Sequence, residues 1–499
     1  MSMVRKAAAY LVRLSEADYP AVPRPAASLV NYAIDSWFAK IESMRRPDPG
    51  PFPPSDPSSD VKEKWLKCEI HKCVTVNRQY PGYARSLNAH AFAMLFEPYG
   101  GEFASYKIVP FLDTYEWKDM VKGSYEWRTQ QETIRISPEA SVTLPVYGTF
   151  FVVSKSTGAK LIVKIDLCYE SSQCVYTVMA SPASKGAAEA FLSDLDASRI
   201  ANDIYYKQCL TFVQEKIDFH EVTPTSWGQI VMKPQLKDTI RHNTVGILEN
   251  LEVLRGIGMT PARNIMLISP PGMAKTTIFR AVTKEVAGKV TVVWCTGKSI
   301  QRSSDVSSLF QAARSMSPCI IFIEDMDLFG RDRTSGMYGS DPHVLNEFLA
   351  CLDGAQENSG VVVMASTNDI ASMDEALVNR PGRFDVKVDI PFPDDEDRSK
   401  MLQSFLSSYH ATLDGTVTRD TVQNVINLTA GLTGAYIKDL VKTAVIRAVS
   451  FGQVSPDGIT VSLSSDDLTI AAEQVIKNFA IGQRAKKHHV ADPESVKQL

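Results

Sequence analysis

Between residues 25 and 45 apolar side chains return at Val30, Ile34, Trp37, Ile41 and Met44, in alternating steps of four and three. That spacing gathers them on one face and predicts an amphipathic helix, the core of an N-terminal helical segment over 1–46. The prolines between Pro47 and Pro57 lack the N–H that a helix needs, so 47–60 reads as an extended linker. From about residue 61 the period changes to two. Leu161, Val163, Ile165 and Leu167 alternate with more polar neighbours, and Lys155–Gly158 has turn composition after an apolar run at Phe150–Ser154. A further strand at Val175–Ala180 precedes a helix near 187–200 with Ala187, Phe191 and Leu195 on one face. An α+β domain with an antiparallel sheet is expected over 61–221.

The pattern changes again near Pro224. Short unbroken apolar runs at Asn264–Ser269, Thr291–Cys295, Cys319–Ile323, Val361–Ser366 and Val386–Ile390 are separated by helical stretches. Strands apolar on both faces lie between helices, so 222–394 is read as an α/β sandwich around a parallel sheet. Beyond it Ile437, Leu440, Val441, Ala444, Val445 and Ala448 follow a 3.6-residue period behind Thr433 as N-cap. Residues 395–482 are read as a C-terminal helical lid, and 483–499 as a flexible tail.

Composition narrows the class. The 499 residues are 44% hydrophobic and 22% charged, enough apolar material for several cores. A net charge of −4 gives no field for a phosphate backbone, and the basic cluster Arg484–His489 reads as part of the solvated tail, so nucleic acid is disfavoured as a partner. No apolar run approaches the roughly 18–20 residues that cross a bilayer. Arg13 interrupts the apolar start without a cleavage site, which argues against a signal peptide. Cys295, Cys319 and Cys351 sit in apolar segments, and Cys68, His71 and Cys73 lack a second ligand pair with zinc-site spacing. A reducing, cytoplasmic location is expected.

The chemistry is concentrated after the first buried run. Ser269, Pro270, Pro271, Gly272, Met273, Ala274, Lys275, Thr276 and Thr277 form a strand–loop–helix junction. Backbone N–H groups and a helix N-terminus can cradle phosphates there, with the lysine as point charge and Thr276 as a Mg²⁺ ligand. The strict glycine pattern fails at Ser269 and Ala274; a left-handed backbone at Ala274 costs about 1–2 kcal/mol. The strand Cys319–Ile323 runs into Glu324, Asp325 and Asp327, carboxylates suited to a metal and to water activation. Another strand is tipped by Asn368, an amide able to orient water. Arg380 and Arg383 flank a Pro-Gly turn, as a charge clamp on a phosphoryl transition state requires.

The ordered set SPPGMAKT, IIFIEDMD, LNEFLACLDG, ASTND, NRPGRFD and GLTGA resembles the AAA clade of the AAA+ ATPases over about 225–480. The resemblance implies a P-loop αβα sandwich with a helical lid, ATP and Mg²⁺ as ligands, and a homohexameric ring. It also implies roles. Lys275 would hold the β- and γ-phosphates, Thr276 and Glu324 the metal, and Asp325 would be the second acid of the Walker B pair. Asn368 would be the sensor, Arg380 and Arg383 fingers acting on a neighbour's ATP, and Gly434 and Ala435 the start of the second sensor helix. The acids stand in the order Glu-Asp rather than Asp-Glu, an order similar to that in the mitochondrial complex III assembly ATPase. The base is then one methylene short, which loosens water activation. The loop Thr296–Arg302 lacks the aromatic grip of threading members; Ile300 is a weak substitute, and Tyr338 a residue for a second pore loop. The leading expectation is an ATP-hydrolysing remodeller whose N-terminal domain recruits an unknown protein client. An ATP-gated scaffold with little turnover is the alternative, and a nucleic-acid motor is disfavoured by charge.

Overall fold

The computed structural model describes residues 59–96, 104–109, 130–168, 173–328, 342–354, 358–380, 382–456 and 458–490. The helix expected at 25–45, most of the proline linker, and Tyr338 lie outside them. Two compact units follow from the chain's own contacts, one ending at Tyr206 apart from Glu215–Phe219, the other formed by Lys207–Gln214 and the chain from His220 onward.

In the first unit helix α1 (Ser59–Leu66) precedes strand β1 (Val74–Pro81) and helix α2 (Arg85–Met94). Strands β2 (Tyr106–Ile108), β3 (Gln130–Arg135), β4 (Ser141–Ser154), β5 (Lys160–Cys168) and β6 (Gln173–Ala180) follow, then helix α3 (Lys185–Ala201). The sheet order is β1-β6-β5-β4-β2, with β3 also paired to β4 and every pairing antiparallel. Period-two burial along β6 turns Tyr176 and Val178 inward, where Phe92, Phe150 and Phe191 pack around them. Edge-on aromatic contacts such as Tyr106–Phe191, 4.8 Å between centroids, add to the area they bury.

The second unit is doubly wound. Its elements are β7 (Cys209–Val213), α4 (Pro234–Asn243), β8 (Arg263–Ile268), α5 (Lys275–Val286), β9 (Thr291–Thr296) and α6 (Ser303–Ser315). There follow β10 (Cys319–Glu324), α7 (Pro342–Asp353), β11 (Val361–Thr367) and β12 (Val386–Asp389). The six strands of this unit lie in the order β12-β8-β11-β10-β9-β7, all paired in parallel, within a sheet of seven. Both faces are covered, which is why β11 is buried at every position and reads as one apolar run. Phe279 of α5 stacks on Phe322 of β10 at 4.5 Å in the core.

One strand falls on a different side of the expected boundary at 221. Cys209–Val213 pairs with Val292–Trp294, so it belongs to the second unit. Five residues with alternating burial carry no mark of which sheet they join, and this parallel partner lies some eighty residues on.

The lid holds α8 (Asp395–Ser408), α9 (Arg419–Leu428), α10 (Gly434–Ser450) and α11 (Ser465–Val490) around Leu402, Ile426, Leu440, Val441 and Leu468. It also holds a two-stranded parallel sheet, β13 (Ala411–Leu413) with β14 (Val461–Leu463), that no periodicity announced. Of the tail expected from 483, residues up to Val490 continue α11, in a run with no Gly or Pro after Gly482, and the remainder lies outside the described residues. Among the described residues no helix is long and apolar enough to cross a membrane.

Candidate functional site

Parallel strands present their C-terminal ends on one edge, and there the predicted chemistry converges. The loop from Ser269 to Ala274 leaves β8 and delivers Lys275 as the first residue of α5. Gly272 has φ +84°, and a Cβ there would come within 2.7 Å of Thr433 Oγ1 and 2.8 Å of the Ala435 Cβ, so only glycine fits. Ala274 sits at φ +63°, ψ +20°, the left-handed region that alanine tolerates poorly. Ala274→Gly removes roughly 1–2 kcal/mol of strain against the greater freedom that glycine gives the unfolded chain. The variant is expected to melt no lower and to bind nucleotide as well or better; a marked weakening in a binding titration would show that the strain is not what limits this loop.

Lys275 is 8% exposed, and its ammonium is held inside the loop. It donates to Ser269 O at 2.6 Å, Ser269 Oγ at 3.1 Å, Pro270 O at 3.2 Å and Asn368 Oδ1 at 2.8 Å. Burial pushes its pKa down, while Asp325 and Asp327 push back. Asn368 closes the loop end of β11 and gives its other amide group, Nδ2, to Asp325 Oδ1 at 3.1 Å. One amide therefore bridges the phosphate-loop lysine and an acid of the swapped pair. Asp325 is itself strained, a non-glycine residue at φ +51°. Asp327 turns away from the cavity and accepts from Thr367 Oγ1 and the Asn368 N–H, both at 3.4 Å.

Glu324 ends β10, and its Oε1 is buried with no hydrogen-bond partner. A buried carboxylate oxygen left without a donor is costly unless a cation meets it. With the Thr276 hydroxyl on the same cavity, Glu324 offers the hard oxygen ligands that Mg²⁺ prefers.

The cavity has a volume of about 680 Å³. Pro271–Thr277, Glu324, Asp325, Ser366 and Asn368 make its phosphate side. Gly434 and Ala435 close it from the lid, and the Ala435 N–H donates to Gly272 O at 3.2 Å, tying α10 to the loop. Two further groups were not foreseen from motifs. Gln229–Lys233 form an opposite wall, with Ile230 buried and the backbone amides of Val231 and Met232 unpaired among the described residues. Met401, Phe405 and Lys438 come from the lid. A capping box at Ser226–Gln229 before an apolar triplet was the available signal for the first, and the helical repeat from Gly434 to Lys438 for the last.

Two of the expected residues, Arg383 and Ile300, are buried. Arg383 is not a free finger: it is 4% exposed, its Nε and Nη2 clasp Asp353 at 2.8 and 2.6 Å, and Nη1 donates to Ala376 O. That pairing holds the guanidinium inside its own subunit. Arg380, with its side chain 66% exposed and 3.8 Å from Asp353, alone remains extended toward solvent. Neither arginine lines the cavity. Ile300 is likewise unsuited to grip a client, because it is buried at 3% exposure; the same loop exposes Lys298, Gln301 and Arg302 instead.

Residues 265–392 match the family model described as "ATPase family associated with various cellular activities (AAA)". The chloroplastic ATP-dependent zinc metalloprotease FTSH 1 of Arabidopsis thaliana is 32% identical over 301 residues, 57% of this chain and 40% of that protein. The ATP-dependent zinc metalloprotease FtsH of Lancefieldella parvula is 30% identical over 53% of this chain and 41% of its own length. The YME1 homolog of Schistosoma mansoni, named likewise, is 31% identical over 48% of this chain and 36% of its own. The chain thus spans about two-fifths of the relatives it matches. Zinc and peptide cleavage belong to those proteins' names; this sequence contains no His-Glu-x-x-His pair.

Proposed function

We propose that this chain, whose residues 265–392 match the AAA family model, binds ATP with Mg²⁺, hydrolyses it, and uses the cycle to remodel a protein partner. The observation that carries the reading is Asn368, which joins Lys275 and Asp325 across one cavity. Lys275 leaves its carbonyl partners for the β- and γ-phosphates when nucleotide enters. Thr276 and Glu324 would hold Mg²⁺, which when bound offsets phosphate charge. Asp325 accepts a proton from water as the water oxygen bonds to the γ-phosphorus. The bond from that phosphorus to the β,γ-bridging oxygen breaks, and the electron pair leaves with ADP. Asn368, already bonded to Asp325, orients the water. The purine and ribose occupy the Gln229–Lys233 side, facing Met401 and Phe405.

Copies of the chain form a ring, a homohexamer by family habit, in which Arg380 supplies charge to the neighbouring site. The first unit recruits the client, in the cytoplasm. The ATP-gated scaffold remains a second reading, favoured by the shortened acid and the docked lysine. The two separate on specific ATPase rate measured against protein concentration for wild type and Arg380→Ala. A rate that rises about tenfold or more on assembly and collapses in the variant, as loss of one transition-state charge predicts, supports the shared-site motor. ATP-driven assembly without turnover would leave only the scaffold.

A further inference from the structure

The wall opposite the phosphate loop is anchored through a side chain that lies outside the cavity. Trp227 begins the turn leading into Gln229–Lys233, and its indole Nε1 donates to Glu285 Oε2 at 2.6 Å. Glu285 belongs to α5, the helix that Lys275 opens, and ten residues of rise put it about 15 Å from the phosphate end. Arg241 of α4 grips the same carboxylate, with Nε 3.1 Å from both oxygens and Nη2 2.5 Å from Oε1. Lys237, one turn earlier on α4, donates to Trp227 O at 2.9 Å. The Ser226–Gln229 capping box then fixes the backbone where the wall begins, with the Ser226 N–H donating to Gln229 Oε1 at 2.8 Å.

These bonds form one rigid link. The phosphate loop is the N-terminus of α5, and the wall is bolted to the C-terminal end of the same helix. The distance between the two sides of the cavity is therefore set by a helix, which hardly stretches, and by a charge-assisted bond that holds Trp227 in one rotamer. Weakening the Glu285 contact would loosen the wall at Trp227, since Val231 and Met232 make no backbone bond to the sheet and the wall's other ties are the Lys237 bond to Trp227 O and the pairing of Lys233 with Asp394 and Asp397.

We propose that Glu285 is a positioning residue for nucleotide recognition: with Arg241 it pins Trp227, and so holds the Gln229–Lys233 wall at the spacing that accepts base and sugar while phosphates sit on the loop. Glu285 itself touches no ligand. The inference rests on the nucleotide reading above and deepens it, because it separates the energetics of the two ends of the ligand.

The test uses the full chain and two probes, Mg-ATP and Mg-tripolyphosphate, the latter a phosphate chain with neither base nor sugar. In calorimetric titrations Glu285→Ala and Trp227→Phe are expected to weaken ATP about tenfold, the scale of a lost charge-assisted hydrogen bond, and to leave tripolyphosphate within about twofold. Glu285→Gln, which keeps an acceptor for the indole but not the charge for Arg241, is expected to fall between wild type and Glu285→Ala; it carries the test if the alanine variant does not fold. Equal weakening of both probes would mean general damage and overturn the proposal, as would unchanged ATP affinity in Trp227→Phe. Wild type that takes tripolyphosphate but not ATP would instead overturn the nucleotide reading, and this inference with it.

Discussion

On the proposed mechanism Asp325→Asn is expected to lower kcat for ATP by about a hundredfold or more, the range for a lost general base, while Mg-ATP affinity stays within a few-fold. The asymmetry follows from what each atom does. An asparagine oxygen at 325 still accepts from Asn368 Nδ2, so the bridge to Lys275 and the cavity's shape persist. What disappears is the site for the water's proton. The left-handed backbone at Asp325, φ +51°, is a conformation that asparagine adopts more readily than most residues, so the substitution adds no strain. Single-turnover ATP hydrolysis alongside equilibrium binding makes the measurement. Unchanged turnover would remove Asp325 from the role of base and return attention to Glu324, whose unpaired oxygen then needs another explanation.

Arg383→Ala is expected to destabilise the second unit by about 2–3 kcal/mol, less than the roughly 3–5 typical when a fully buried pair is broken, because Asp353 keeps part of its surface in water. Two bonds to Asp353 and one to Ala376 O are lost together, and the carboxylate is left facing a cavity. Arg380→Ala, at an exposed side chain, changes stability by no more than about 0.5 kcal/mol. Denaturant unfolding of the two variants decides it. Equal stability would mean that Arg383 is free after all, and the assignment of a finger role to Arg380 alone would fail.

The same pair adds a pH signature. Arg383's hydrogen bond first, then the charges of Arg383 and Arg380, hold the Asp353 carboxyl below its ordinary value of 3.8. A lowered folded pKa means stability fully present above the unfolded value and lost as pH falls through the folded one. Wild type is therefore expected to lose this contribution below about pH 4, whereas Arg383→Ala, lacking it already, shows a shallower acid limb.

Much of the protein could be read from the chain because the information was local. An unbroken apolar run such as Val361–Ser366 has only one environment that suits it, a strand buried on both faces, and it forms β11. Period-two alternation at Leu161–Leu167 likewise leaves one arrangement, and the phosphate loop declares itself by residue types that no packing role asks for in that order. The left-handed turn at Ala274 was legible for the same reason, since the loop's pattern leaves glycine at that position for its backbone.

Tertiary structure alone decided the matters that depend on who meets whom across the chain. Arg380 and Arg383 are the same residue type three positions apart, yet Asp353, thirty residues earlier, buries one and leaves the other to solvent. Ile300 is an apolar residue in a loop whose fate depends on the core beneath it. Cys209–Val213 pairs in parallel with a strand that begins only at Thr291. The Trp227–Glu285–Arg241 link joins residues 58 and 44 positions apart through charge and direction, neither of which has a period to detect. Backbone preference and hydrophobic spacing act over a few residues and are written in the sequence; the desolvation and pairing of single polar groups act through space, and only the folded chain fixes their partners.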